Sequence, residues 1–254
     1  MRVLLLGGTT EGSALARAMA KAGQDAVLSL AGVTRAPRAQ PLPTRIGGFG
    51  GVAGLVDYLR AERIGGVIDA THPFAARMTR NAAEATAITG MPLLRVDRPA
   101  WAMRPGWRSV ASMAEAAEAL GPVPRRAFLA VGRKDLAPFA ASPWHDYLIR
   151  SIDAPPAELL PPRAALITAT GPFALEDERR LLWERRIEIV VAKNSGGDAT
   201  FAKLQAASEL GIGVILLARP EGPPQIRTVP DARGALAWLH DLSATPAPGT
   251  ERGA

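Results

Sequence analysis

The sequence predicts an α/β protein of two similar Rossmann-like lobes, each a mostly parallel sheet flanked by helices, with a ligand cleft between them. Three observations predict it. Short apolar runs alternate with alanine-rich runs of helical spacing along nearly the whole chain, and continuous apolar strands of this kind are buried on both faces, as in parallel sheets covered by helices. The order then begins again: RAFLAVGRKDLAPFA at 126–140 repeats the pattern of RVLLLGGTTEGSALA at 2–16. Matching pieces also recur at a nearly constant offset. Arg98-Pro99 and Arg219-Pro220 lie 121 positions apart, and Asp69-Ala70-Thr71 and Val191-Ala192-Lys193 lie 122 apart.

In chain order, residues 2–7 read as a strand, 11–22 as a helix, 25–32 as a strand and 53–62 as a helix. GVIDA (66–70) is a strand, a helix runs from Pro73 to Thr89, PLLRVD (92–97) is a strand and 112–120 a helix. Pro73 suits a first helical turn, where its missing N–H is no loss. The second half offers strands at 147–152, 164–171, 187–194 and 213–220, and helices at 174–186, 199–210 and 231–241. The Pro- and Gly-containing joint GPVPRR (121–126) sets the boundaries: a first lobe at 1–121, a second at 122–243, and a small-residue, Pro-rich stretch at 244–254 expected to be a disordered tail.

Composition narrows the chemistry. The chain has no cysteine, which excludes disulfides, thiolate zinc, iron–sulfur ligation and a cysteine nucleophile and fits a reducing cytoplasm. Three histidines make a histidine metal cluster a poor prospect, and no metal site is expected. MRVLLLGG does not read as a signal peptide, and no apolar stretch is long enough to span a membrane. The net charge of +6 implies an anionic partner. Basic residues are spread out rather than clustered with aromatics, so nucleic acid is not that partner.

Ligands of open α/β sheets bind beyond the carboxyl ends of the strands, so the loops there carry the candidates. GGTTEG (7–12) is a degenerate dinucleotide fingerprint with its middle glycine one position early. Gly7, Gly8, Thr9, Thr10, Glu11 and Gly12 form either a phosphate cradle at a helix start or a Gly-rich turn with a Thr cap. The second strand ends without the carboxylate that selects NAD; Ser29, Thr34, Arg35 and Arg38 stand there instead. A guanidinium grips a 2′-phosphate, so this loop points to NADP, or else it is a solvated basic loop. RIGGFGG (45–51) is either a close backbone approach to a ligand or a flexible flap. In DATHPF, Thr71 and His72 sit at the mouth between strand and helix. His72 either orients a nicotinamide or donates a proton as a catalytic residue, or it caps and packs. Arg77 follows on the helix, while His145 and His240 read as surface. In the second half, Lys193, Asn194 and Ser195 follow a strand directly and hold an anionic ligand or satisfy their own turn. Arg133 and Lys134, with Asp135, stand after the first strand of that half. ALEDERRLLWERR reads as a solvated helix face with internal ion pairs.

LLLGGTTEG, AGVTR, GGFGG, IDATHPFA, RPAW (98–101) and AKNSGG, in this order over residues 2–240, resemble the precorrin-6A reductases of cobalamin biosynthesis. The resemblance implies NADPH-dependent reduction of a tetrapyrrole double bond to give precorrin-6B, with NADPH between two Rossmann-like lobes. A precorrin is a polycarboxylate, and Arg77, Arg98, Arg133, Lys134, Lys193 and Arg219 would neutralise it. The chain is expected to act as a cytoplasmic monomer or small homo-oligomer. Two other readings use the same residues: a non-redox, two-lobed tetrapyrrole synthase or cyclase, and an NADPH-sensing binding protein without turnover.

Overall fold

The computed structural model describes residues 1–32, 39–223 and 225–244. Two compact units are built around two all-parallel sheets, each of six strands among the described residues. In the first unit, β1 (Arg2–Leu6), β2 (Ala26–Leu30), β3 (Thr44–Ile46), β4 (Ile64–Asp69) and β5 (Leu93–Val96) alternate with α1 (Thr10–Lys21), α2 (Val52–Ala61) and α3 (Ala76–Thr89). The second unit contains β6 (Trp107–Val110), β7 (Arg126–Ala130), β8 (Asp146–Ser151), β9 (Ala164–Thr168), β10 (Ile189–Lys193) and β11 (Gly213–Leu217), with α4 (Met113–Ala119), α5 (Leu175–Glu184) and α6 (Ala202–Glu209). β12 (Arg227–Val229) and α7 (Ala232–Ala244) then return to the first unit.

The alternation of β1 shows why its sheet is covered twice. Val3 and Leu5 face a core with Leu15, Met19 and Trp238, while Leu4 and Leu6 face one with Leu55, Leu59 and Ala82. A run such as VLLL therefore needs α1 and α7 on one side and α2 and α3 on the other.

The two sheets have the same order, β12-β5-β4-β1-β2-β3 and β6-β11-β10-β7-β8-β9, with the sixth strands exchanged along the chain. β6 follows β5 in sequence yet pairs in parallel with β11, and β12 follows β11 yet pairs with β5. The units accordingly run Met1–Arg98 with the segment from Pro220, and Pro99–Arg219, rather than 1–121 and 122–243. Each exchanged piece is anchored by a large side chain. Trp107 packs into the second core and donates from Nε1 to Ser208 Oγ at 3.2 Å, and Trp238 of α7 is buried in the first core. The chain crosses between units at the repeated Arg-Pro pairs.

Three local readings change. The helix predicted from Pro73 begins at Ala76, because a tight turn precedes it, with Ala75 N donating to His72 O at 2.7 Å. The crossover after β7 holds two short 3₁₀ segments, Arg133–Asp135 and Ala137–Ala141, where the repeat of the β1 pattern implied a helix; Pro138 and Pro143 interrupt the run. His145 is buried rather than on the surface: Nδ1 accepts from Arg125 N at 3.1 Å, and the ring lies between Trp144 and Tyr147. That burial pushes its pKa below the ordinary value. The stretch expected as a tail lies, from residue 245 onward, outside the described residues, as do Thr34, Arg35 and Arg38.

Candidate functional site

The corner after β1 is built by glycines with three different jobs. A Cβ on Gly7 would stand 2.6 Å from Leu28 Cδ1, so a side chain there would have to displace the buried Leu28 of β2. A Cβ on Gly12 would stand 3.3 Å from Ala70 O, so α1 packs closely on the end of β4. Gly8 has φ +121°, and no atom lies within 4 Å of where its Cβ would be. Its conformation is strained for any other residue, and the space beside it is open.

Thr9 is the N-cap of α1. Its Oγ1 accepts from Gly12 N at 3.0 Å and donates its one proton to Ala70 O at 2.9 Å, tying the corner to β4. Thr10 Oγ1 donates to Glu11 Oε2 at 3.2 Å, and Glu11 forms an ion pair with Arg98, just past β5. The corner therefore offers an anion backbone rather than hydroxyls: the first-turn N–H groups that a helix cannot satisfy itself, beside the open flank of Gly8.

Ser29, at the end of β2, is buried and accepts from Arg45 Nη1 at 2.7 Å. Arg45 of β3 also donates to Gly47 O at 3.0 Å and Gly48 O at 2.9 Å, and its guanidinium lies 3.9 Å over the Phe49 ring. The GGFGG loop is thus fastened to the sheet edge by one arginine. Arg45 is not among the residues singled out from sequence, although an arginine two positions before a glycine cluster is a usable signal.

The loop after β4 hangs on a buried carboxylate. Asp69, 1% exposed, accepts at Oδ1 from Thr71 N (3.0 Å) and Thr71 Oγ1 (2.6 Å), and at Oδ2 from Thr79 Oγ1 (2.7 Å) and Arg95 Nη1 (2.9 Å). Arg95 also contacts the Thr79 hydroxyl. This network fixes the Thr71 backbone and side chain and hence the start of the THPF turn. His72 is half-buried, and its Nδ1 accepts from Phe74 N at 3.3 Å, so the neutral ring carries its proton on Nε2. Asp69, Thr79 and Arg95 were not singled out by sequence. The signal was present: a carboxylate ends the apolar run GVID, an arginine sits inside the apolar run PLLRV, and buried charges require partners.

In the second unit, Lys193 at the end of β10 pairs with Asp135 at 2.7 Å, which joins the two predicted loops VGRKD and KNSGG. Arg133 is half-buried and Lys134 exposed on the same turn. Arg77 is exposed on the first turn of α3 and belongs to the first unit. The Asn194 amide is spent on structure: Oδ1 accepts from Trp101 N at 2.8 Å, and Nδ2 donates to Trp101 O at 3.0 Å. Trp101 Nε1 donates to Gly197 O at 3.0 Å. Arg219 donates to Asn194 O at 2.8 Å and Ser195 O at 2.9 Å, and Ser195 is buried. Gly196 has φ +66°, and a Cβ there would fall on Pro99 O and Arg219 Nη2. Trp101 and Arg219 thus shape the loop from the segments just inside the two crossings.

α5 is not solvated all round. Arg179 with Glu176 and Arg180 with Asp177 form the expected surface pairs, but Glu178 turns inward and pairs with Arg150 of β8.

Comparison with known proteins adds independent findings. The family model described as Precorrin-6x reductase CbiJ/CobK matches residues 2–240. The precorrin-6A reductase of Rhodobacter capsulatus is 50% identical over 247 residues, 96% of this chain and 98% of that protein. The cobalt-precorrin-6A reductase of Salmonella typhimurium is 30% identical over 237 residues, 86% of this chain and 87% of that protein. The solved structure of CobK precorrin-6A reductase matches with a TM-score of 0.91 and 49% identity, over 98% of this chain and 100% of that one.

Proposed function

The chain belongs to the precorrin-6x reductase family CbiJ/CobK, and on that premise we propose that it reduces a double bond of precorrin-6A with NADPH, giving precorrin-6B in cobalamin biosynthesis. The identity of 50% to a precorrin-6A reductase, against 30% to a cobalt-precorrin-6A reductase, favours the cobalt-free macrocycle as substrate.

The observation that carries the nucleotide assignment is the flank of Gly8, open and at positive φ, beside the first-turn N–H groups of α1. A pyrophosphate there meets donors without meeting a side chain. In this reading Gly7 and Gly12 shape the corner, and Thr9, Thr10 and Glu11 hold its helix start. Ser29, Thr34 and Arg35 form the adenosine end, where the Arg35 guanidinium selects the 2′-phosphate of NADP over NAD. The nicotinamide supplies a hydride when bound. Thr71, held by Asp69, and His72 line its mouth. His72 is the catalytic group that orients the nicotinamide with its Nε2–H, and a proton from water completes the reduction after hydride reaches the conjugated ring.

Arg133, Lys134 and Lys193 bind the acetate and propionate carboxylates of the macrocycle, and Arg77 is a further candidate for them. Asn194 and Ser195 act by shaping the loop that follows Lys193. Positioning supplies most of the acceleration, since an extended iminium-like ring accepts hydride readily. No helix among the described residues is long and apolar enough to cross a membrane, and the chain has no cysteine. We place the reaction in the cytoplasm.

Mixing the protein with NADPH and precorrin-6A and following reduced-nicotinamide absorbance tests this reading. Consumption of NADPH dependent on precorrin-6A, and faster than consumption of NADH, is the expected result. NADPH binding without turnover would make the protein a sensor. Unaltered NADPH-over-NADH preference in Arg35→Ala would move the 2′-phosphate contact elsewhere.

A further inference from the structure

We infer that Lys203 is a positioning residue for the substrate loop: its buried ammonium braces the 194–200 loop from within the second unit through the Thr200 carbonyl. The inference rests on the reading that this unit holds the precorrin.

Lys203 lies on the first turn of α6 and is 7% exposed. Its Nζ donates to Thr200 O and stands 5.5 Å from the centre of the Trp101 ring. The setting opposes a cation in three ways. Burial is the largest, the Arg150 guanidinium adds to it, and together they lower the pKa to about 8, with Glu178 acting in the other direction. Glu178 is already paired with Arg150, whose guanidinium lies 3.7 Å over the Phe173 ring. The amino end of a helix also disfavours positive charge. A methionine would fill the same space without a buried charge. A charge kept where packing alone would prefer an apolar chain directs attention to what its ammonium holds, the Thr200 carbonyl.

The geometry shows what that contact does. The loop is fastened at Asn194 by the Trp101 backbone, at Gly197 by the Trp101 indole and at its start by Arg219. Its far end, at Thr200, is fastened by Lys203. Gly196 and Gly197, both at positive φ, form the middle. Without the ammonium, the loop that follows Lys193 at the end of β10 keeps its first anchors and loses the one at Thr200.

Lys203→Met in the full chain tests this. The KM for precorrin-6A is expected to rise roughly tenfold, the scale of one charge-assisted hydrogen bond. The KM for NADPH and kcat are expected to stay within about twofold. The melting temperature is expected to hold or rise, and backbone amides of 194–200 to exchange faster while those of β10 do not. A purely structural lysine would give the opposite pattern: lower melting temperature, or no folded protein, with unchanged precorrin KM in whatever folds. That result overturns the inference. Lys193→Ala separates it from the reading beneath. If Lys193→Ala raises the precorrin KM and Lys203→Met does not, the inference alone falls. If neither does, the assignment of the precorrin to the second unit falls with it.

Discussion

The loops after β4 and β10 occupy the same place in two sheets of identical strand order, yet opposite charges hold them. The first is organised around a buried carboxylate, Asp69, which gathers two threonines and an arginine. The second is organised around cations and an amide: Arg219, Lys203 and Asn194 grip its carbonyls and the Trp101 backbone. The preceding corners differ in the same sense. After β1 a glycine turn feeds a twelve-residue helix, whose amino end offers N–H donors. After β7 a short 3₁₀ turn carries Arg133, Lys134 and Asp135, so side-chain charge replaces helix backbone. A repeated framework has thus been given two chemistries, helix-backbone donors at one corner and side-chain cations at the other.

The largest expected effect comes from Asp69→Ala, which removes the closer of two carboxylates paired with the buried Arg95 and leaves Asp97 at 3.7 Å. A loss of about 4 kcal/mol is expected for breaking a buried pair, measured by urea unfolding, with the damage confined to the first unit in hydrogen exchange. Exchange that rises equally in β7 and β10 would break the contrast. Gly196→Ala should cost about 3 kcal/mol, because the new methyl meets Pro99 and Arg219 at a positive φ. Its injury should fall on the second unit and the precorrin KM.

Gly8→Ala sharpens the comparison, since the same change meets open space there. It should fold with a loss of about 1 kcal/mol from backbone strain and weaken NADPH binding about tenfold by calorimetry. Undiminished binding would remove the corner from the nucleotide site.

The smallest effect concerns acid. Burial holds the His145 pKa below 6.5, so below that pH the unfolded chain binds a proton that the folded chain does not. Stability of the second unit should therefore be full above that value and fall as pH drops beneath it. His145→Asn keeps an acceptor for Arg125 N and should flatten that dependence in melting curves taken across the acid range.

Much of this was legible. The apolar runs of β1, β2, β4, β7, β10 and β11 were read directly, because strands buried on both faces leave no polar positions to obscure them. The edge strands TRI, WRSV and RTV escaped. They are three or four residues long, partly exposed, and carry no continuous apolar signal. Missing β6 and β12 meant missing the exchange, and so the boundary. The Arg-Pro pairs were noticed as a repeat, but nothing local says that the chain changes sheets there. At the candidate site, the glycines and Lys193 stood out by type and place. Asp69, Arg45 and Lys203 did not, because each draws its meaning from a partner far along the chain.

The sequence by itself determined the class of fold and the duplication, which follow from periodicity and recurrence, and the family, which follows from the likeness of its motifs to those of known members. Tertiary structure decided which sheet each sixth strand joins, which polar groups face ligand and which are consumed holding loops, and which histidine is buried. Those outcomes depend on pairing and desolvation between residues distant in the chain, and local pattern carries no record of them.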